Sequence, residues 1–76
     1  MYYYQRLRDC REDKDLNQKE VAEILDTFQT HYSKYERGER ELPMHLFIKL
    51  AKFYNVSLDY LAGLTNDPKI YYAERK

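Results

Sequence analysis

Leu16-Asn17-Gln18-Lys19-Glu20-Val21-Ala22-Glu23-Ile24-Leu25-Asp26-Thr27-Phe28-Gln29-Thr30-His31-Tyr32-Ser33-Lys34-Tyr35-Glu36-Arg37-Gly38 is the stretch that decides the fold. Asn17 can accept a hydrogen bond from the amide three residues on, and Glu20 can return one to the amide of Asn17, a reciprocal capping box. Leu16 and Val21 stand where a hydrophobic staple would pin the chain entering that helix. The spacing predicts a helix to about Leu25 that buries Val21, Ala22, Ile24 and Leu25. Asp26-Thr27 breaks it, with Thr27 as the N-cap of a second helix over residues 28–37. Phe28, Tyr32 and Tyr35 recur at i, i+4 and i+7, so one inward face is expected. Gly38 stops this helix, because glycine enters the left-handed region cheaply.

Helical spacing continues on both sides. Upstream, Tyr3, Leu7 and Cys10 share a face of a helix over residues 3–14. Arg6, Arg8, Asp9, Glu12 and Asp13 fall on its other, charged faces. Downstream, residues 39–42 read as a loop and Pro43 suits the first turn of a further helix. Phe47, Leu50, Ala51 and Tyr54 form its apolar stripe, flanked by Leu46 and Phe53. Ser57 caps a last helix whose apolar face is Leu58, Leu61 and Leu64, with Gly63 near its end. No stretch alternates apolar and polar residues as a strand would. The expected fold class is all-α, five helices, with the two short helices of the opening stretch second and third. Residues 1–64 form the domain. Asn66, Asp67 and Pro68 set residues 65–76 apart as a tail. Tyr60, Ile70, Tyr71 and Tyr72 are apolar enough to serve the core or a dimer contact, and one of Tyr2, Tyr3 and Tyr4 is expected against the fifth helix.

Composition narrows the function. Seventy-six residues make one domain, which buries about 60% of its unfolded surface; an enclosed substrate pocket is hard to build at that size. Cys10 is the only cysteine, so no internal disulfide forms, which fits a reducing compartment. No apolar run approaches the ~20 residues that span a bilayer, and the start lacks the apolar core of a signal peptide; a cytoplasmic location is expected. His31, His45 and Cys10 lack zinc-like spacing. No nucleophile–base pair stands out. Neither a metal, a cofactor nor an enzyme is therefore expected.

Thirteen Lys and Arg balance thirteen Asp and Glu, which by itself counts against a nucleic-acid binder. The distribution says otherwise. With Phe28, Tyr32 and Tyr35 turned inward, the outer face of the third helix carries Gln29, Thr30, Ser33, Lys34 and Arg37, and no acid. Gln can bond bidentately to adenine, Lys reaches guanine acceptors or phosphate, and Thr offers a hydroxyl and a methyl. Two short helices joined by two or three residues, the second with such a face, make the helix-turn-helix pattern.

Asn17-Gln18-Lys19-Glu20-Val21-Ala22, Gln29-Thr30 and Ser33-Lys34-Tyr35-Glu36-Arg37-Gly38-Glu39-Arg40 resemble the Cro/repressor-type, or xenobiotic-response-element, helix-turn-helix family. The block from Leu50 to Leu61 is similar to that family's fourth and fifth helices, and the resemblance covers roughly residues 6 to 64. It implies DNA binding, usually as a dimer. By that resemblance Gln18 contacts phosphate and braces the third helix. Gln29, Thr30 and Lys34 match base-reading positions, Arg37 matches a backbone contact, and Arg11 and Glu36 match a partly buried ion pair. Three positions depart from the pattern: Asp26 stands where glycine is common, Phe28 where a small Ser or Thr cap is usual, and His31 where a small residue is common.

The expected function is a transcriptional regulator, a repressor that binds a palindromic operator as a homodimer. Gln29, Thr30 and Lys34 would read bases in the major groove of double-stranded DNA, with Ser33 on the same DNA-binding face, and Gln18, Arg37, Arg40 and helix amides would hold phosphates. The rival reading, kept alive by the zero net charge, is a protein-interaction module on the same fold: an antitoxin bound by a toxin, or an adaptor.

Overall fold

The computed structural model describes residues 3–70, so Tyr2, Tyr71, Tyr72 and the rest of the tail from residue 71 lie outside the described residues. Five helices follow in order: α1 Tyr3–Asp13, α2 Gln18–Ile24, α3 Gln29–Glu36, α4 Met44–Tyr54 and α5 Leu58–Leu61. No strand occurs among the described residues. α3 packs on α2 and α1, while α5 packs on α1 and α4. Leu7, Val21, Tyr32, Leu50 and Leu61, one from each helix, lose all solvent contact at the centre. The periodicity of the sequence is thus the periodicity of the core.

The starts of the helices follow local chemistry. Asn17 caps α2 in a full capping box: its side chain accepts from the Glu20 amide at 2.8 Å, and the Asn17 amide donates to Glu20 Oε1 at 2.9 Å. Ser57 Oγ accepts from the Tyr60 amide at 3.0 Å at the head of α5. α3 differs from expectation. Its N-cap is Phe28, not Thr27, and no side-chain bond closes it.

All five ends share one device. Asp15, Asp26, Gly38, Asn55 and Gly63 each adopt a left-handed backbone, with φ between 55 and 81°. In each case the next amide bonds back five residues: Leu16 to Arg11 O, Thr27 to Ala22 O, Glu39 to Lys34 O, Val56 to Ala51 O and Leu64 to Asp59 O. These bonds take up carbonyls that the helix cannot satisfy itself. Only two of the five positions are glycine; the others bear a side chain at a conformation that costs an L-residue about 1–2 kcal/mol. At Gly38 a second constraint acts, since a Cβ there would lie 2.7 Å from the Tyr4 ring.

Several side chains go elsewhere than the helical period predicts. Phe28 is 74% exposed and Leu64 79% exposed. Both lie just off a helix end, where the backbone no longer follows 100° per residue and the period has no hold. α5 is one turn, so Leu64 falls beyond it. Ile24 and Leu58 are half-buried rather than buried. Tyr3 packs on α4, not α5: its ring lies 5.1 Å from that of Phe47, and its hydroxyl accepts from the Leu42 amide at 3.1 Å. Arg6, expected on a solvated face, is 4% exposed. Its guanidinium donates to Tyr60 O at 2.7 Å, Thr65 O at 3.0 Å and Asn66 Oδ1 at 3.0 Å, and lies 4.0 Å from the centre of the Tyr60 ring. The chain after α5 therefore returns to α1.

Candidate nucleic-acid interface

The candidate surface is built on α3, and two features fix that helix. Tyr32 and Tyr35 bury its inner face. Glu36, one residue further, is clamped from outside the helix. Arg11 of α1 donates to it twice, Nε to Oε2 at 2.7 Å and Nη2 to Oε1 at 3.1 Å, and also donates Nη1 to Leu16 O at 2.9 Å. Gln18, at the first turn of α2, donates Nε2 to Glu36 Oε1 at 3.1 Å. One carboxylate thus ties α1, α2 and α3 together.

The pair is largely dehydrated, with side chains 13% and 4% exposed. Burial pushes the Glu36 carboxyl up, but the hydrogen bonds from Arg11 and Gln18, the nearby Tyr32 hydroxyl and the Arg11 charge outweigh it and hold the group below its ordinary value. The Tyr32 hydroxyl is buried without a partner in good hydrogen-bonding geometry, although it stands near enough to favour the carboxylate. Burial, and then that carboxylate, drive the Tyr32 hydroxyl far above the ordinary phenol range. Glu36 is therefore spent inside the fold, and its charge does not face outward.

Gln18, Gln29, Thr30, Ser33, Lys34 and Arg37 line one open depression of about 430 Å³. The five outward residues of the third helix, Gln29, Thr30, Ser33, Lys34 and Arg37, thus come together with Gln18, the residue to which the family resemblance points, across α2 and α3. Arg40 does not join them: it is exposed on the loop after α3, outside this depression.

Arg37 is engaged in the free chain. Its Nε lies 2.6 Å from Glu39 Oε2 and its Nη2 3.3 Å from Oε1, and Nη1 donates to Ser33 Oγ. Sequence reading missed this pair, because residues two apart do not face each other on a helix. The left-handed turn at Gly38 folds the backbone so that they do. His31 is half-buried, with its ring edge-on to Phe28 at 5.7 Å and its Nδ1 3.4 Å from Thr27 Oγ1.

Among the described residues no group of three or more His, Cys, Asp or Glu is arranged to hold a metal. No described helix is long and apolar enough to cross a membrane.

Comparison with known proteins gives a consistent result. A family model described as helix-turn-helix matches residues 7–61. The uncharacterised HTH-type transcriptional regulator YobD of Bacillus subtilis (strain 168) is 38% identical over 66 residues, 87% of this chain and 59% of that protein. The cryptic phage CTXphi transcriptional repressor RstR of Vibrio cholerae is 38% identical over 58 residues, 76% of this chain and 52% of that protein. The chain spans about half the length of these relatives. The crystal structure of the restriction-modification controller protein C.AhdI from Aeromonas hydrophila superposes with a TM-score of 0.69 at 29% identity, covering 78% of this chain and 86% of that one.

Proposed function

Since the chain belongs to the helix-turn-helix family, we propose that it is a sequence-specific DNA-binding transcriptional regulator that represses by occupying an operator as a homodimer. α3 enters the major groove. Gln29, Thr30 and Lys34 meet base edges with Ser33 beside them, while Gln18, Arg37 and Arg40 hold phosphates. A two-fold dimer would present two copies of α3 about 34 Å apart, one turn of B-DNA, on a near-palindromic site.

The observation that carries this reading is the shared depression. Polar side chains from two helices line one concave surface; of the two acids beside it, Glu36 is turned inward and paired with Arg11, and Glu39 is paired with Arg37. Self-association is supported by apolar surface elsewhere. Met44 and Leu64 on one side of Leu58, and Ile48 and Ile70 on the other, are exposed on α4 and on the chain after α5, and share no residue with the depression.

Selection from a random duplex pool at two salt concentrations tests the function. A reader of DNA enriches a short palindrome and weakens steeply with salt. The zero net charge keeps alive the rival reading, an antitoxin or an adaptor on the same fold; an adaptor should enrich no sequence. Sedimentation of the full chain against Ile48→Glu tests the dimer, since a charge in that apolar face should yield monomer.

A further inference from the structure

Phe28 has no structural employment that explains it. It holds the N-cap position of α3, where a hydroxyl or amide side chain would bond a free amide, yet it makes no capping bond. Its side chain is 74% exposed, so the core does not use it either. It is nevertheless held. The ring meets the His31 imidazole edge-on at 5.7 Å, and that imidazole is fixed in turn by Thr27 at 3.4 Å. The result is a positioned apolar surface at the leading end of α3, directly before Gln29 and Thr30 of the depression.

The functional reading given above decides what such a surface meets. The leading end of a helix laid in the major groove is the part nearest the base edges. Every other side chain on this face offers hydrogen bonds or charge, and none offers a large apolar contact. One apolar group is displayed in the major groove, the C5-methyl of thymine. We propose that Phe28 is a specificity-determining residue that reads a thymine methyl group at the edge of each half-site. His31 acts as a positioning residue for it. Cytosine presents no methyl there, and uracil differs from thymine by that methyl alone, so the contact discriminates without any hydrogen bond.

The inference rests on the DNA-reading function, and the experiment separates the two. The probe is the duplex that the wild-type chain itself enriches from a random pool, with each thymine replaced singly by deoxyuridine. For wild type, one position in each half-site should lose about fourfold in affinity, the value of one buried carbon, and the others should change little. Phe28→Ala should bind thymine and deoxyuridine equally at that position while keeping its preferences elsewhere. Phe28→Leu should keep part of the discrimination, and His31→Ala should reduce it. A folded Phe28→Ala with the same melting profile as wild type excludes a loss of structure. If wild type enriches a sequence but ignores every methyl, or if Phe28→Ala keeps the penalty, the assignment of Phe28 fails and the function stands. If wild type enriches no sequence, both fall.

Discussion

Glu39 grips Arg37 with two contacts, at 2.6 and 3.3 Å, across the left-handed turn at Gly38. The cation assigned to a phosphate is thus neutralised in the free chain, and the Glu39 carboxylate lies within electrostatic range of Lys34 as well. An acid beside the two cations of this face lowers the local potential that attracts DNA. Glu39→Gln should therefore tighten binding to any duplex by a similar factor, without changing sequence preference. Because Arg37 would then release one more counterion, the plot of log affinity against log salt should steepen by about 0.9. Fluorescence anisotropy across a salt series measures both. Weaker binding by this variant would mean that Glu39 orients Arg37 rather than competes for it.

Gln29 should act on sequence, not on general affinity. Gln29→Ala should cost about 1–3 kcal/mol on the selected operator and almost nothing on random duplex. Competition titrations with both DNAs measure the ratio. An equal loss on both would place Gln29 on the backbone.

The Arg11–Glu36 pair should behave as an all-or-none joint. Removing one side leaves a buried charge, so Arg11→Ala should destabilise by ~3 kcal/mol. Glu36 has a folded pKa below its reference value of 4.5. Its contribution is then complete above that value and is lost as pH falls through the lower folded value. Urea midpoints measured from neutral pH down into the acid range should drop, and Glu36→Gln should start lower but respond less to acid. The clamp also touches Gln18 of the candidate surface, so its loss should weaken DNA binding as well.

Asp26 at φ 59° ends α2 in the conformation that glycine tolerates best. Asp26→Gly should stabilise the fold by up to about 1 kcal/mol and leave operator affinity unchanged. Gly38→Ala should do the opposite, losing more than 1 kcal/mol because strain adds to the approach of Tyr4. Thermal unfolding monitored by far-UV circular dichroism gives both signs.

How much of this was legible beforehand depended on the type of signal. The capping box at Asn17 and Glu20, the two tyrosines of α3 and the apolar stripe of α4 are local, periodic patterns, and the sequence displays them directly. The Arg11–Glu36 joint joins residues twenty-five apart, and only family resemblance pointed to it. Arg6 gave no warning, because arginine buries readily only when backbone carbonyls converge on it, and those carbonyls come from residues 60 and 65. Phe28 and Leu64 share one physical cause: apolar spacing carries no information past a helix end, where the backbone geometry changes. The Arg37–Glu39 pair was hidden by a turn whose effect on side-chain direction is not written in residue spacing.

Arg6 also sets an order of events during synthesis. Its guanidinium enters the interior near the beginning of the chain, but two of its acceptors belong to Thr65 and Asn66. Until those residues have emerged from the ribosome, a nascent chain holding the whole of α1 to α5 would have to keep a cation in its interior short of acceptors. A fragment stopped at Leu64 should accordingly be a poor substitute for the domain, more open to proteases than its helix content implies. The closing act of folding then belongs to the short polar segment that carries Thr65 and Asn66.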